Sequence, residues 1–511
     1  MSSYLDLLRF PNEILVQILA NLEGKSLLAC RTTCRRLDSV VSGSVLLQYK
    51  IELMACGMVD GGQALSVAEK LRRLRLYDAA WRNLEWTDHA ALPHLADSEP
   101  LLMAVADSLV FQLSPFQHDS WTALQRVSSK LRGVQAQHTN FPECIGYDSM
   151  LDPSQDLMAY YEASMNPPLN MRCYLQALST RRVHPLRSMR DPFAGMDERI
   201  PIEICGDRIL EAVRTQTQIQ TDGFGSTSCW DHVVWNWKTG RAELTLADSA
   251  SKYSRFLDRT RVLTFVDHPK CIQVYTFGAA CMSVHTFLLP MRAHRCLIKP
   301  SLAHGCPQSS ADTGYFHNDP AERLLSLDIH WADGMPEDSP MHVFMDIPLE
   351  TFRSYISAHP TAGHAAVTVP WQEWGQRTRV AQGYGLWNTE LFTHGMRRLD
   401  LRPSEGGGGA QLLEVLDYHP GRVGRALARQ RRGDAGAETV VEHSDALMGR
   451  FTDGVQTSLP CLVKRVPLPE EFARELSDPE LLSARLCEDG VIFMEMDPAR
   501  EGVEKAWAYT F

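Results

Sequence analysis

Residue types that serve enzymes and metal sites are plentiful in this chain, but their spacing matches no catalytic or metal-binding motif. Eighteen histidines and thirteen cysteines are scattered over 511 residues, with no Cys-x-x-Cys pair. The sequence contains no nucleophile elbow, no HExxH, no Walker loop and no GxGxxG after a predicted strand. His268, His330 and His342 lie in or beside predicted strands, where a structural role is the simpler interpretation. We therefore expect no catalytic residue, no metal ion and no cofactor.

A glycine-rich stretch at 222–227 (DGFGST) superficially resembles a phosphate-binding loop. A phosphate cradle needs a helix N-terminus directly after the glycines. The residues that follow here have the pattern of a strand instead. We interpret the stretch as a loop between strands.

Three arginines, Arg31, Arg35 and Arg36, offer another kind of chemistry, which is contact with nucleic-acid phosphates. A helix, a turn at Gly24 and a second helix carrying these side chains would imitate a helix-turn-helix. The net charge of −11 opposes binding to nucleic acid or to an anionic membrane. A nucleic-acid binder is kept as an alternative, and no nucleic-acid or membrane partner is expected.

The composition, with 44% apolar and 22% charged residues, is that of a folded protein. Its length predicts two or more units. The N-terminus lacks the basic and apolar regions of a signal peptide, and no apolar run approaches the roughly 20 residues that span a bilayer. The odd number of scattered cysteines favours a reducing compartment. We expect the protein in the cytoplasm, the nucleus or both.

The elements that must position any site change character along the chain. Residues 5–50 are helical in pattern, and 51–95 predict a helical connector in which Ser66 and Glu69 have capping-box spacing. From residue 96 the apolar period changes to two, and strand pairs recur at irregular intervals. The sequence predicts an α+β multidomain protein whose 96–511 region is an all-β propeller-like domain of six to eight blades. Two β-sandwiches or barrels remain the alternative.

The helical segment at the N-terminus has more apolar surface than it can bury. On a helix over 12–22, apolar side chains spread over an arc of roughly 200°, whereas packing on one core needs little more than about 100°. A second helix, predicted to begin at Ser26 and to form a helical hairpin with the first, covers one side. A partner surface is expected on the other side, because a module of some fifty residues cannot bury it internally.

This segment resembles an F-box. The resemblance is carried by Phe10-Pro11-x-Glu13-Ile14-Leu15, by Ile18-Leu19-x-x-Leu22 and by the run from Leu27 to Leu37. Phe10 stands where the family usually has leucine. Further stretches resemble a large set of fungal F-box proteins, including 47–53, 81–84, 151–157 and 234–240.

The resemblance implies a non-catalytic substrate receptor of an SCF-type (cullin-based) ubiquitin ligase. The F-box, 5–50, would bind a Skp-type adaptor and through it a cullin, and the β domain would recruit a protein target for ubiquitination. The positions that match the motif and are expected to contact the adaptor are Phe10, Pro11, Ile14, Leu15, Ile18, Leu19, Leu22, Leu27, Leu28, Cys30 and Arg31. Cys34, Leu37 and Val41 are expected in the core of the F-box.

Two further functions stay open on the sequence. One is an F-box-bearing propeller scaffold with no role in degradation, and the other is an enzyme with inward carboxylates. Target recognition is expected on loops near 222–229, 303–320 and 403–436. The arginines at 422, 425, 429, 431 and 432 are interpreted as a solvated loop, or alternatively as a contact for an acidic partner.

Overall fold

The structure is a computed structural model of the chain. It describes residues 7–92 without a gap and most of 102–511. The segments of the later region that it does not describe are 93–101, 107–108, 114–121, 142–148, 153–154, 164–170, 178–179, 181, 183–198, 220–225, 250–252, 268, 279–281, 292–295, 303–313, 332–341, 361–365, 383–391, 404–410, 434–438, 443–456, 471–481 and 498–501. His268 and the glycines at 406–409 lie outside the described residues.

Helices dominate the first 83 residues and recur as insertions later. After a 3-10 turn at Leu7–Arg9, the helices are α1 (Asn12–Leu19), α2 (Gly24–Thr33), α3 (Arg35–Gly43), α4 (Val45–Cys56), α5 (Val67–Asn83), α6 (Leu349–Ala358), α7 (Trp371–Trp374) and α8 (Pro420–Arg431).

The first half of the predicted capping box is confirmed in α5. The Ser66 hydroxyl accepts a hydrogen bond from the Glu69 amide at 3.3 Å. The Glu69 carboxylate does not reach back to the backbone. It accepts hydrogen bonds from Arg72 and Arg73 on the next turn instead, and these bonds lower its pKa to about 2.

The second helix, predicted to begin at Ser26, is not one continuous element as far as Val41. It begins two residues earlier at Gly24, where α2 and α4 pack so closely that a Cβ would lie 2.7 Å from the Met54 Cβ. It then ends at Thr33, since Cys34 has an extended backbone (φ −158°, ψ 157°). The chain restarts as α3, so the predicted hairpin is a bundle of short helices.

The rest of the chain forms seven successive sheets. The first sheet contains β3 (Leu102–Ala106), β4 (Leu109–Leu113), β5 (Thr122–Arg126) and β6 (Gln137–Phe141). The second contains β7 (Ser149–Asp152), β8 (Leu157–Ala163) and β9 (Met171–Ala177). The third contains β10 (Arg199–Cys205), β11 (Arg208–Ile219), β12 (Ser226–Asn236) and β13 (Arg241–Ser249). The fourth contains β14 (Ser254–Asp258), β15 (Arg261–Asp267), β16 (Lys270–Thr276), β17 (Ser283–Leu288) and β22 (Ala366–Val369).

The last three sheets carry the insertions. The fifth contains β18 (Cys296–Leu302), β20 (Leu324–Trp331), β21 (His342–Pro348) and β23 (Arg379–Gln382); the sixth contains β24 (Phe392–His394), β25 (Arg397–Pro403), β26 (Gln411–Asp417), β28 (Cys461–Pro467) and β27 (Thr439–Val441); and the seventh contains β29 (Leu482–Cys487), β30 (Gly490–Asp497), β31 (Gly502–Thr510) and β2 (Asp88–Ala91). A separate pair joins β1 (Met58–Asp60) to β19 (Phe316–Asn318).

This order of sheets is that of a β-propeller with seven blades, within the predicted six to eight. Within each sheet the strands follow one another as antiparallel neighbours, apart from the parallel pairing of β22 with β17 and the β27 insertion. First strands of neighbouring sheets meet: β10 contacts β7 and β14, and β29 contacts β24 and β3. The last sheet therefore adjoins the first, which closes the ring.

The last blade also closes through an earlier part of the chain. Strand β2 pairs antiparallel with β31, placing Asp88 opposite Thr510 and Ala91 opposite Trp507. This strand lies inside the range predicted as a helical connector, so residues that precede the propeller supply its outermost strand. The edge of β31 is thereby covered.

The connector helix α5 packs into the main core of the propeller. Tyr77 and Trp81 are buried in one cluster with residues of the sixth and seventh sheets. The Trp81 ring lies 4.7 Å from the Phe511 ring. Beside them Arg132, 1% exposed, pairs with Asp489 at 2.8 Å and donates to the Phe316 carbonyl. Burial of the Arg132 guanidinium without these partners would strongly destabilise the fold.

Candidate binding face of the N-terminal helices

Helix α1 has two apolar faces with opposite environments. Leu15 and Leu19, one turn apart, are 0% and 3% exposed and pack inward. Ile14 and Ile18, also one turn apart, are 38% and 40% exposed. Side chains four residues apart lie on the same face of a helix. The helix therefore presents a second apolar stripe to the outside, as the wide arc of the sequence predicts.

The inward face belongs to a small core formed by the helices themselves. Its buried members are Leu15, Leu19, Leu27, Leu37, Val40, Val41 and Leu47. None of them comes from the seven sheets. The described strands thus leave the Ile14–Ile18 stripe uncovered, and the surplus of apolar surface on α1 remains exposed in the fold.

The residues expected to contact an adaptor fall into three groups by exposure. Pro11, Ile14, Ile18, Leu28 and Arg31 are exposed, and Phe10, Leu22 and Cys30 are half-buried. Leu15, Leu19 and Leu27 are buried inside the helical core. In this conformation these three leucines offer no surface to a partner, and we assign them to the packing of the helices.

The residues expected in the core of the F-box are buried or half-buried. Leu37 and Val41 are buried, and Cys34 is half-buried at the break between α2 and α3. The extended backbone of Cys34 turns α3 away from the axis of α2. This residue therefore shapes the bundle rather than continuing a helical face.

Three exposed apolar residues near the F-box were missed by sequence reasoning, namely Leu7, Val45 and Leu46. Of the eight large apolar side chains that are exposed in the described part of the chain, six fall within residues 7–46. Apolar surface on the outside is therefore concentrated in the helices. The run Val45-Leu46-Leu47 was the available signal, because three consecutive residues of a helix cannot all face one core.

Polar side chains lock the helices into one arrangement. Arg36 donates to the Phe10 carbonyl at 2.8 Å, and the Lys50 ammonium donates to the Ala20 carbonyl at the end of α1. Arg31 donates to Asp38 at 2.8 Å, and this hydrogen bond lowers the pKa of the Asp38 carboxyl. Arg31 and Arg36 are exposed but hydrogen-bonded to Asp38 and to the Phe10 carbonyl, so the geometry does not favour a helix-turn-helix that reads DNA.

The helices are fixed to the propeller through α8. Arg425 of α8 pairs with Glu52 of α4 at 2.6 Å, and the Arg422 guanidinium donates to the Cys56 carbonyl at the end of α4. Gly57 ends α4 with a left-handed backbone (φ +64°) and lies against His419. The α1 stripe and the propeller are therefore held in a defined relative position.

The basic stretch beginning at Arg422 is not a solvated loop, contrary to the sequence interpretation. It forms α8, and Arg422 is buried against Asp417 at 2.6 Å. The other loops proposed for target recognition are also partly structured. Residues 226–229 belong to β12, 316–318 to β19 and 411–417 to β26. The described parts of these segments thus build the fold.

The described residues hold no group of three or more His, Cys, Asp or Glu side chains that could bind a metal ion. His330 and His342 are paired positions on β20 and β21. Within the described part of the chain, no helix has the length and apolar character required to cross a membrane.

Comparison with known proteins identifies the helical part. Residues 7–51 match the F-box-like family, so the chain carries an F-box-like domain at its N-terminal end. No curated protein matches the sequence.

Among solved structures, TolB from Acinetobacter baumannii is 12% identical with a TM-score of 0.31, covering 70% of this chain and 69% of that one. The WD40 domain of Toxoplasma gondii coronin is 8% identical with a TM-score of 0.32, covering 83% of this chain and 87% of that one. The assignment of seven blades rests on the order of the sheets in this chain.

Proposed function

We propose that this protein is the substrate receptor of an SCF-type ubiquitin ligase, in which the F-box-like domain binds a Skp-type adaptor and the propeller binds a protein target. The observation that carries the proposal is the exposed Ile14–Ile18 stripe within an F-box-like domain whose own core is already complete. An amphipathic helix that enters an apolar groove uses anchors at this spacing.

The adaptor contact is assigned to the exposed side chains rather than to every matching position. Pro11, Ile14, Ile18 and Leu28 form the apolar part of this surface, with Leu7 as a further candidate. Burial of the apolar area that these side chains leave exposed favours association by about 25 cal/mol per Å². This gain acts against the entropic cost of bringing two proteins together.

On this proposal the chain makes and breaks no covalent bond. It holds a target lysine near the charged conjugating enzyme and raises the effective concentration of the two reactants. The fixed junction between α4 and α8 suits this task, because a rigid connection keeps the target at a constant distance from the adaptor. The proposal includes a cullin, to which the adaptor links this chain, and ubiquitination of the bound target.

We also propose that the protein works in a reducing compartment, the cytoplasm or the nucleus. The seven cysteines whose state the structure describes are all free thiols. Cys56, Cys205, Cys271, Cys461 and Cys487 are buried and act as small apolar side chains.

The test is reconstitution with purified components. The full chain is mixed with a recombinant Skp-type adaptor, and the two are expected to elute together from a size-exclusion column. Proximity labelling in cells with and without residues 5–50 then identifies proteins that accumulate when the F-box is removed. An adaptor complex without any accumulating protein would favour the scaffold function, and the absence of an adaptor complex would overturn the proposal.

A further inference from the structure

A small cavity lies where the N-terminal helices meet the sixth sheet. Its volume is about 40 Å³, and it is bounded by α5, by α8 and by strands β25, β26 and β28. On the same measure a single water needs roughly 10–15 Å³. The space therefore takes an occupant of a few non-hydrogen atoms, about the size of one phosphate group.

The lining of this cavity is strongly cationic. Six of its twelve residues carry positive charge and two carry negative charge. The cations are Arg82, Arg397, Arg422, Arg425, Arg429 and Lys464, and the carboxylates are Asp78 and Asp417. Glu52, outside the lining, neutralises Arg425. On the lining itself, cations therefore outnumber carboxylates by six to two, in a chain whose net charge is −11.

The carboxylates are already committed to particular arginines. Asp417 lies 3.0 Å from Arg397 and 2.6 Å from Arg422, and it keeps a pKa of about 2 because these guanidiniums outweigh its burial. The pKa of Arg397 is lowered by burial and by the neighbouring Arg422. Lys464 makes no ion pair among the described residues. Among the described lining residues, Lys464 is thus a cation that remains available to a bound anion.

Buried hydrogen-bond donors on the same lining also lack partners. The Trp81 indole Nε1 and the Arg397 Nη2 make no hydrogen bond within the described protein, although the two residues are 4% and 2% exposed. A buried donor without an acceptor costs roughly 1–3 kcal/mol, and more for a charged group. An occupant that accepts hydrogen bonds would satisfy both. The only comparable orphan acceptor on the lining of this described cavity is the Asp78 Oδ1.

We propose that this cavity is a binding site for a small anion of the phosphate class, with Trp81, Arg397 and Lys464 as its donors. A phosphate-class oxyanion offers several acceptor oxygens to these donors, carries negative charge and matches the available volume. Arginine and lysine are the side chains that recognise phosphate oxygens. This inference is independent of the proposed ligase function.

The position of the site gives the anion a structural consequence. Trp81 belongs to α5, whereas Arg397 lies in β25 and Lys464 in β28 of the sixth sheet. An anion bound to all three would join the helical segment to the propeller and neutralise the repulsion between their arginines. Occupancy would therefore stabilise the junction that sets the distance from the F-box to the propeller.

The test uses the full chain, inorganic phosphate as the probe and sodium chloride of equal ionic strength as the reference. Binding is followed by 31P NMR line broadening and by the rise in Tm, which saturates for a specific ligand. The variant K464Q removes one cation that has no ion pair, and K238Q removes one from an exposed turn of the third sheet. Loss of one charged hydrogen bond weakens binding about tenfold.

We expect saturable broadening and a saturable Tm rise in the wild type and in K238Q, with the half-maximal phosphate concentration about tenfold higher in K464Q. Because phosphate also stabilises proteins non-specifically, the difference between the two variants is the deciding quantity. Equal responses of K464Q and K238Q, or an effect of phosphate no larger than that of chloride, would overturn the proposal. Far-UV circular dichroism confirms beforehand that both variants are folded.

Discussion

Ile14 and Leu15 are consecutive residues of α1, yet Ile14 is 38% exposed and Leu15 is 0% exposed. Both are large apolar side chains, and they differ in the face of the helix on which they lie. Leu15 completes the core of the helical bundle, whereas Ile14 and Ile18 lie outside it. The helix therefore divides its apolar surface between the core of its own bundle and an exposed stripe, and the proposed adaptor contact of that stripe can be tested separately from the core.

Replacing Ile14 and Ile18 together by aspartate should abolish binding of the Skp-type adaptor. Each carboxylate would be forced into an apolar groove without a partner, which costs several kcal/mol. Affinity should fall more than about 100-fold, as measured by co-purification and by isothermal titration. Both positions are exposed, so the Tm of the full chain should change little.

The matched control for this pair is L76D with M282D. Leu76 and Met282 are 43% and 38% exposed and lie outside the F-box-like residues 7–51. This control adds the same two charges at equally exposed apolar sites and should bind the adaptor as the wild type does. Loss of binding in both double variants would point to a general effect of charge and against the stripe.

Replacing Leu15 by alanine should loosen the helical bundle itself. A buried leucine shortened to alanine costs about 2–5 kcal/mol, through lost contacts and the cavity left behind. In I14A, by contrast, the stability should change by less than about 1 kcal/mol, because that side chain is largely outside the core. Hydrogen exchange of the α1–α3 amides should therefore accelerate in L15A and stay unchanged in I14A.

The sequence predicted the kind of each element better than its ends. The alternating strands, the helical N-terminal segment and the surplus of apolar surface on α1 follow from side-chain periodicity, which is local. The break at Cys34 could not be predicted, because an extended residue between two helical stretches depends on how α3 packs on α4. For the same reason the sequence could not separate Leu15 and Leu19 from Ile14 and Ile18.

The basic stretch of α8, inserted between β26 and β27 of the sixth sheet, shows what charge patterning misses. Arginines at 422, 425 and 429 predict a solvated segment when their partners are unknown. Arg422 pairs with Asp417, and Arg425 pairs with Glu52, which lies more than 350 residues away in the sequence. Long-range ion pairs of this kind turn an apparent surface loop into a packed helix, and no local pattern reveals them.

Two glycines of α8 test the junction between the helices and the propeller. A Cβ at Gly421 would lie 2.5 Å from the Ala55 carbonyl oxygen, whereas a Cβ at Gly424 would meet nothing within 4 Å. The variant G421A should destabilise the protein by about 1–3 kcal/mol through this clash with α4. The variant G424A should stabilise α8 by up to about 1 kcal/mol, since alanine favours helices. Thermal unfolding measures both, and equal Tm values would contradict the close packing of α8 on α4.

His394 should make stability depend on pH. Burial, with added repulsion from Arg397 and Arg132, lowers its pKa from 6.5 to about 3. Between pH 6.5 and pH 3 the imidazole of His394 is protonated in the unfolded chain and neutral in the folded chain. The contribution of this group to the free energy of unfolding is therefore fully present above pH 6.5 and is lost as the pH falls toward 3. Between pH 7 and pH 5 the loss from this group is about 2 kcal/mol.

The control for this prediction replaces the imidazole by an amide. His394 Nε2 accepts a hydrogen bond from the Asn318 amide at 2.8 Å, and the glutamine of H394Q can accept in its place without titrating. Burial also lowers the pKa of His285 and His317, so the informative quantity is the difference between wild type and variant. In urea unfolding, the free energy of unfolding should fall less between pH 7 and pH 5 for H394Q than for the wild type. An equal fall in the two proteins would contradict the assignment to His394.

The closure of the last blade predicts where the protein can be cut. A fragment of residues 96–511 matches the predicted β domain but lacks β2, which pairs with β31 from Ala91 opposite Trp507 to Asp88 opposite Thr510. It also lacks α5, whose Trp81 packs on Phe511. Removing both exposes an open strand edge and aromatic core surface, which favours aggregation.

A fragment of residues 62–511 keeps α5 and β2 and loses the F-box-like domain, β1 and all of α4, including the core residues Leu53 and Cys56. We expect this longer fragment to be monomeric with a cooperative thermal transition, and the 96–511 fragment to aggregate or to unfold without cooperativity. Size-exclusion chromatography with light scattering and circular dichroism distinguish these outcomes. A monomeric 96–511 fragment with the Tm of 62–511 would show that the blade does not need its N-terminal strand, and that the connector is separable from the propeller at residue 95.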